Sequence, residues 1–167
     1  IVEDSAISLE QFIAQTKSKV LDLAIRGKLV EQNSEDEPAS VLLKQIRKKH
    51  KSSKTTSDKF PYPFEVPESW EWTKFSNIAK HNVGKTLDKS KNTGKIREYI
   101  TTSNLYWGHF EFSELRKMPI EENELAKCTA IRGDLLICEG GDAGRSAIWK
   151  SEQPICFQNH IHRVRPY

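Results

Sequence analysis

The sequence predicts an α/β (α+β) protein. A helical arm spans residues 1–50, a linker and proline-rich entry spans 51–69, and a sheet-based domain occupies 70–167. Three observations carry that reading. Residues 1–59 hold one aromatic side chain (Phe12), one glycine (Gly27) and one proline (Pro38), whereas all four Trp, all four Tyr and the other six Phe lie in 60–167. A thin helical segment cannot bury large rings by itself, and a sheet-based core commonly does. The first stretch repeats apolar residues at helical spacing, while the second alternates short apolar runs with turn residues.

The first helix is expected from Ser8 to Arg26. Leu9, Phe12, Ile13, Val20, Leu21, Ala24 and Ile25 recur at intervals of three, four and seven, and the opposite face is polar. Ser8 reads as the N-cap with Gln11 as its capping-box partner, and Gly27 as the residue past the end that takes positive φ. A second helix is expected near Pro38, with the proline at N1 and Asp36 and Glu37 beside the positive end of the dipole. Val41, Leu42 and Ile46 give it a short apolar stripe, and Arg47, Lys48 and Lys49 suit its C-terminus. Neither helix is long or apolar enough to stand alone in water. Two explanations stay open: the helices pack on the globular half, or they belong to a longer arm that pairs with another helix through Leu9, Phe12, Ile13, Val20 and Ala24.

His50 to Lys59 is polar, charged and without periodicity, as a linker is. The prolines at 61, 63 and 67 force an extended path, because each biases its predecessor away from the helical region. Strands are then expected at Trp70–Phe75, Arg97–Thr101, Asp134–Glu139, Ser146–Lys150 and His160–Arg165. Gly140-Gly141-Asp142-Ala143-Gly144 lies between two of them and reads as a hairpin loop.

Composition excludes several classes. A chain of 167 residues holds one ordinary domain and an appendage. No apolar run approaches the roughly 18 residues that span a bilayer, and the N-terminus lacks a signal-peptide layout. Cys128, Cys138 and Cys156 are odd in number and form no C-x-x-C pair, which argues against a disulfide scaffold or a four-thiolate zinc site. A reducing cytoplasm is the expected compartment. Neither common nucleotide loop occurs, and Gly140–Gly144 lacks the lysine and the following helix that phosphate binding needs. His160-x-His162 with Cys156 offers no fourth ligand, so no metal site is expected and two ordinary strand histidines are favoured. Glu139 and Asp142 flank the turn, but nothing marks either as a buried acid, and Cys138 reads as a small core residue. No catalytic residue is assigned.

The net charge of +3, from 26 basic and 23 acidic side chains, matters less than its distribution. Seven Lys/Arg lie between Lys44 and Lys59 against Asp58 alone, and six between Lys80 and Arg97 against Asp88 alone. The acids gather at Ser34–Glu37 and Glu111–Glu124. Lys85, Lys89, Lys91, Lys95 and Arg97 are therefore candidates for gripping phosphates, each contact adding salt-dependent affinity. Asn92, Thr102, Asn104, Arg145, Gln158 and Asn159 are candidates for base edges, which amides, hydroxyls and guanidinium groups can read. A merely solvated loop is the competing explanation for Lys80–Lys95.

Several motifs resemble one family. Leu21-Asp22-Leu23-Ala24-Ile25-Arg26-Gly27-Lys28-Leu29-Val30, followed by Glu37-Pro38-Ala39-Ser40-Val41-Leu42-Leu43 and Ile46-Arg47, resembles the helical region of type I restriction–modification specificity subunits. Pro67-Glu68-Ser69-Trp70-Glu71-Trp72 is similar to the opening of a target recognition domain in that family. Gly133-Asp134-Leu135-Leu136-Ile137, Gly141-Asp142-Ala143-Gly144 and Phe157-Gln158-Asn159-His160 are similar to its mid-domain signature. The resemblance implies a non-catalytic subunit that reads one half of a bipartite site on double-stranded DNA from a curved-sheet recognition domain. It implies that the helices set half-site spacing and dock methyltransferase subunits, with a restriction (motor) subunit joining the complex. S-adenosylmethionine, ATP and Mg are then expected on those partner subunits and no cofactor on this chain. Family members carry two recognition domains, so this chain is expected to be a fragment, with Ile1 and Tyr167 as cut points, rather than a half-subunit that pairs with a second copy. A protein-interaction scaffold without DNA binding of its own is the alternative, and a metal- or cysteine-dependent enzyme a third.

Overall fold

The computed structural model describes residues 8–50, 62–88 and 90–167, and the chain divides into two compact units after Asn77. Most of the linker expected at 50–59 lies outside the described residues. No helix among the described residues is long and apolar enough to cross a membrane.

In the first unit, α1 (Leu9–Ile25) begins with the expected capping box. Gln11 N–H donates to Ser8 Oγ at 3.2 Å, and Ser8 N–H donates to Gln11 Oε1 at 3.1 Å. The helix stops at Gly27, whose φ of 65° lets its N–H reach the Ala24 carbonyl while Lys28 N–H reaches Leu23. That pair is the Schellman arrangement that closes helix ends. A side chain at Gly27 would also overlap the Pro67 ring, at about 2.5 Å. The second helix, α2 (Ala39–Lys49), starts one residue later than expected, with Pro38 as N-cap and extended at ψ 140°. Ala39 N–H finds its acceptor in the Ser69 carbonyl, at 2.8 Å.

Trp70–Phe75 is not a strand. Its aromatic residues fold back within their own unit instead of joining a ladder. Trp70 Nε1 donates to Gln32 Oε1 at 2.9 Å and Trp72 Nε1 to the Phe64 carbonyl at 3.2 Å, and a 3-10 turn follows at Phe75–Asn77. Phe64 stands edge-on to Trp72 at 5.0 Å, with the Arg26 guanidinium 4.5 Å over its ring. A helical unit thus does hold large rings, because the chain after the helices supplies them.

The second unit contains β1 (Ala79–Val83), β2 (Lys95–Ile100), β3 (Arg116–Ile120), a short helix α3 (Leu125–Cys128), β4 (Thr129–Ala130), β5 (Leu135–Cys138), β6 (Ser146–Ile148), β7 (Ile155–Phe157) and β8 (Ile161–Pro166). They form two four-stranded sheets, ordered β1-β8-β5-β6 and β3-β2-β7-β4, which with the helices make the expected α+β fold. The first is antiparallel throughout, and the second is mixed because β2 and β7 run parallel. Ile100, Leu105, Leu136, Phe157 and Ile161 are fully buried in the main core, beside Ala147 and Trp149. Full burial of such a side chain contributes about 1.5–3 kcal/mol.

Two arginines of β8 tie the unit together, Arg163 across to the other sheet and Arg165 within its own. Arg163, buried, donates to the carbonyls of Ala126 and Thr129 and to Asn82 Oδ1 at 2.7 Å. Arg165 grips buried Asp134 through two bonds of 2.7 Å, and Asp134 also accepts from Ile131 N–H at 2.8 Å. That fork holds the Arg165 pKa above its ordinary value, while burial lowers that of Arg163. The Gly133-Asp134 motif is therefore structural: it closes the turn from β4 into β5.

Candidate nucleic-acid interface

The polypeptide passes from one sheet to the other through residues 157–161, between β7 and β8. Lys85 N–H donates to the Phe157 carbonyl at 2.9 Å and Asn159 N–H to the Lys85 carbonyl at 3.0 Å, which seats the end of β1 on this corner. Such close approach requires Gly84, because a Cβ there would overlap the carbonyl oxygens of Phe157 and Gln158. Gln158 N–H reaches the Ile100 carbonyl at 3.1 Å and so joins the end of β2, where the Thr101–Asn104 turn begins. Arg145 Nη2 extends from the hairpin loop to the Thr102 carbonyl at 2.7 Å. The backbone therefore brings Lys85, Gln158, Asn159, Thr102 and Arg145 to one edge of the second unit.

The individual side chains fare differently. The Thr102 hydroxyl and the Gln158 and Asn159 amides make no hydrogen bond among the described residues, and all three residues are half-buried. Asn104 is 4% exposed and all its bonding capacity is engaged. Its Oδ1 accepts from Thr101 N–H and Oγ1, and its Nδ2 donates to the carbonyls of Glu111 and Glu114. It is a structural residue and not a base reader, a correction that follows from its burial. Asn92 is likewise turned inward to its own loop, donating to the Thr86 carbonyl at 3.1 Å. Arg145 is half-buried, braced on Thr102 with its guanidinium 5.3 Å over Tyr106, and its buried Nε lacks a partner.

Among the phosphate candidates, Lys89 lies outside the described residues, and Lys91 is 82% exposed, its Nζ 3.7 Å from Asp88 Oδ2. The other three are paired with carboxylates. Lys85 meets Glu124, and Lys95 and Arg97 share one oxygen of Glu122 at 3.1 and 2.7 Å. The hydrogen bond from Lys95 holds the Glu122 carboxyl below its ordinary pKa, and that from Lys85 does the same to Glu124. The basic and acidic runs, separate in sequence, are thus neighbours in space. The antiparallel register Lys95↔Ile120 puts the start of β2 beside the 121–124 turn. Between that turn and the basic loop lies a cleft of about 550 Å³ lined by Lys85, Asp88, Lys91, Asn92, Glu124 and Lys127 among others.

His81 Nε2 lies 2.7 Å from His162 Nδ1 with the rings stacked, and Glu139 stands 3.4 Å from His162 and 3.7 Å from His160. No group of three or more His, Cys, Asp or Glu that could hold a metal ion occurs among the described residues. Cys156 is buried against Cys128, both as free thiols; a hydrogen bond between them lowers the Cys156 pKa and raises that of Cys128. The sequence reading overlooked Trp107. It is 64% exposed at the apex of a turn closed by Tyr106 N–H on His109 and pinned by Gly108 N–H on the Ser146 carbonyl. The Trp-Gly pair between apolar residues is the signal that marks such a turn.

In the first unit, α1 has no buried residue. Leu9 and Phe12 are 73% and 60% exposed, Ile13 and Val20 are exposed as well, and Ala24 is half-covered.

No family model matches the chain. It is 42% identical over 82 residues to the specificity subunit of the type I restriction enzyme EcoAI of Escherichia coli, a match covering 42% of this chain and 14% of that protein. It is 43% identical, with the same coverage, to the EcoEI specificity subunit of the same organism. Two solved structures are also similar. One is the crystal structure of the HsdS subunit from Thermoanaerobacter tengcongensis, with TM-score 0.43, 15% identity and coverage of 94% of this chain and 34% of that one. The other is a chain from a study of assembly and conformational transition in the type I R-M system, with TM-score 0.46, 14% identity and coverage of 93% and 36%. The match spans about one seventh of the curated relatives' length, and over that stretch the chain is similar to the specificity subunits of type I restriction enzymes.

Proposed function

We propose that this chain is a DNA-reading part of a type I restriction–modification specificity subunit, and that it carries no catalytic step itself. Its second unit recognises one half of a bipartite target on double-stranded DNA, through the edge at Thr102, Gln158 and Asn159. The observation that carries this reading is that edge: uncommitted amide and hydroxyl side chains on a corner that the backbone of Lys85 helps to build. Its lysines hold the duplex by its phosphates, and its amides distinguish base edges. Methyl transfer, with S-adenosylmethionine, and restriction, with ATP and Mg, are the work of partner subunits. The arm docks the methyltransferase subunits and sets the spacing to a second recognition domain or copy.

The test is a titration of labelled duplexes with the polypeptide at its natural length, in complex with its partners, over a salt series. Lys89→Ala with Lys91→Ala is expected to weaken binding to every sequence alike and to flatten the salt slope by about 1–2 units. An unchanged slope would remove this loop from the interface. Gln158→Ala is expected to relax preference at one base position, at a cost of about 1–3 kcal/mol.

The exposed apolar residues of α1 favour a second reading, a protein-interaction scaffold with no DNA affinity of its own. Sequence-preferring binding to duplex DNA excludes it, and binding to a methyltransferase partner alone supports it.

A further inference from the structure

Three of the cations that are candidates for phosphate contact, Lys85, Lys95 and Arg97, are already paired from within the chain. One Glu122 oxygen lies within hydrogen-bond distance of both Lys95 Nζ and Arg97 Nη2, an arrangement a phosphate oxygen would also satisfy. Glu124 pairs with Lys85 in the same way while its other oxygen accepts from Glu121 N–H at 3.1 Å, which fixes the shape of the turn beside the cations it neutralises. Lys95 remains 77% exposed and Glu122 60%, so this pair is solvated and open to exchange. We propose that the Glu121–Glu124 turn is a built-in phosphate stand-in: Glu122 competes with the duplex backbone for Lys95 and Arg97 and thereby sets how strongly the chain holds DNA irrespective of sequence. The inference rests on the DNA-reading function proposed above, and it adds Glu122 as a determinant of sequence-independent affinity.

The physical argument is one of competing ions. A duplex that takes Lys95 and Arg97 from Glu122 gains two phosphate contacts but leaves a carboxylate beside its own backbone, which repels it. Sequence-independent binding draws essentially all of its affinity from phosphate contacts, so this competition falls on it in full. An acid that touches none of these cations, such as Glu111 beside His109, changes only the overall charge.

Glu122→Gln removes the negative charge and keeps the size and an oxygen acceptor, and Glu111→Gln is its control. Both are made in the polypeptide at natural length, in complex with its partners, and titrated with a random-sequence duplex from low to moderate salt. Glu122→Gln is expected to tighten binding by about 3- to 10-fold at low salt and to steepen the salt slope by about 1–2 units, with Glu111→Gln changing neither comparably. Thermal unfolding identifies a variant that gains or loses affinity through misfolding, and Glu122→Asp, which keeps the charge, is expected to restore the parent slope. Equal effects of Glu122→Gln and Glu111→Gln, or no effect of either, would overturn the inference while leaving DNA binding intact. Failure of the unaltered complex to bind any duplex would instead remove the function on which it rests.

Discussion

The helix α1 and the β7–β8 segment use similar apolar side chains to opposite ends. Phe12, Ile13 and Val20 of α1 are exposed, whereas Phe157 and Ile161 are fully buried between two sheets. An apolar periodicity announces that a face will be covered, and it is silent on what covers it. The second unit completes its own core. α1 presents its apolar residues without burying any among the described residues.

Substitutions separate the two regions. Asp134→Ala is expected to have the largest effect, because it leaves the Arg165 guanidinium and Ile131 N–H without their acceptor. A loss of about 3–5 kcal/mol, read by denaturant or thermal unfolding, is expected for the second unit while α1 keeps its helical signal. Ser8→Ala removes half of the capping box and should cost about 1 kcal/mol of helix stability, visible as fraying of the first turn in hydrogen exchange. Phe12→Ser should change the stability of the unpartnered chain by less than about 0.5 kcal/mol and yet weaken capture of a methyltransferase partner. Marked destabilisation by Phe12→Ser would erase the contrast, since it would mean the chain covers that face itself.

Local features were legible in the sequence because their partners sit a few residues apart. The Ser8–Gln11 box, the stop at Gly27 and the hairpin through Gly141 and Gly144, both with positive φ, all need information from one short window. Strands β5, β6 and β8 fell where their apolar alternation put them, within a residue or two. The strands β1 and β3 were not visible as alternating runs. Both are sheet edges: β1 carries polar residues at its three central positions, Lys80, His81 and Asn82, and β3 contains Pro119, which an edge tolerates. The candidate site was legible in kind more than in position. Gln158, Asn159 and Thr102 converge through long-range backbone bonds, while Asn104, chosen on the same chemistry, is sealed inside a turn. The pairing of basic and acidic runs depends on the β2–β3 register, which no local window contains.

On the proposed function, the crossover at 157–161 limits how recognition can be altered. Its residues are held by the end of β1, by β2 and by the hairpin after β5, so lengthening it would disrupt both ladders together. New preferences at this edge must come from exchanging Gln158 or Asn159 for other side chains on an unchanged backbone. Insertions and deletions are left to the loops around it.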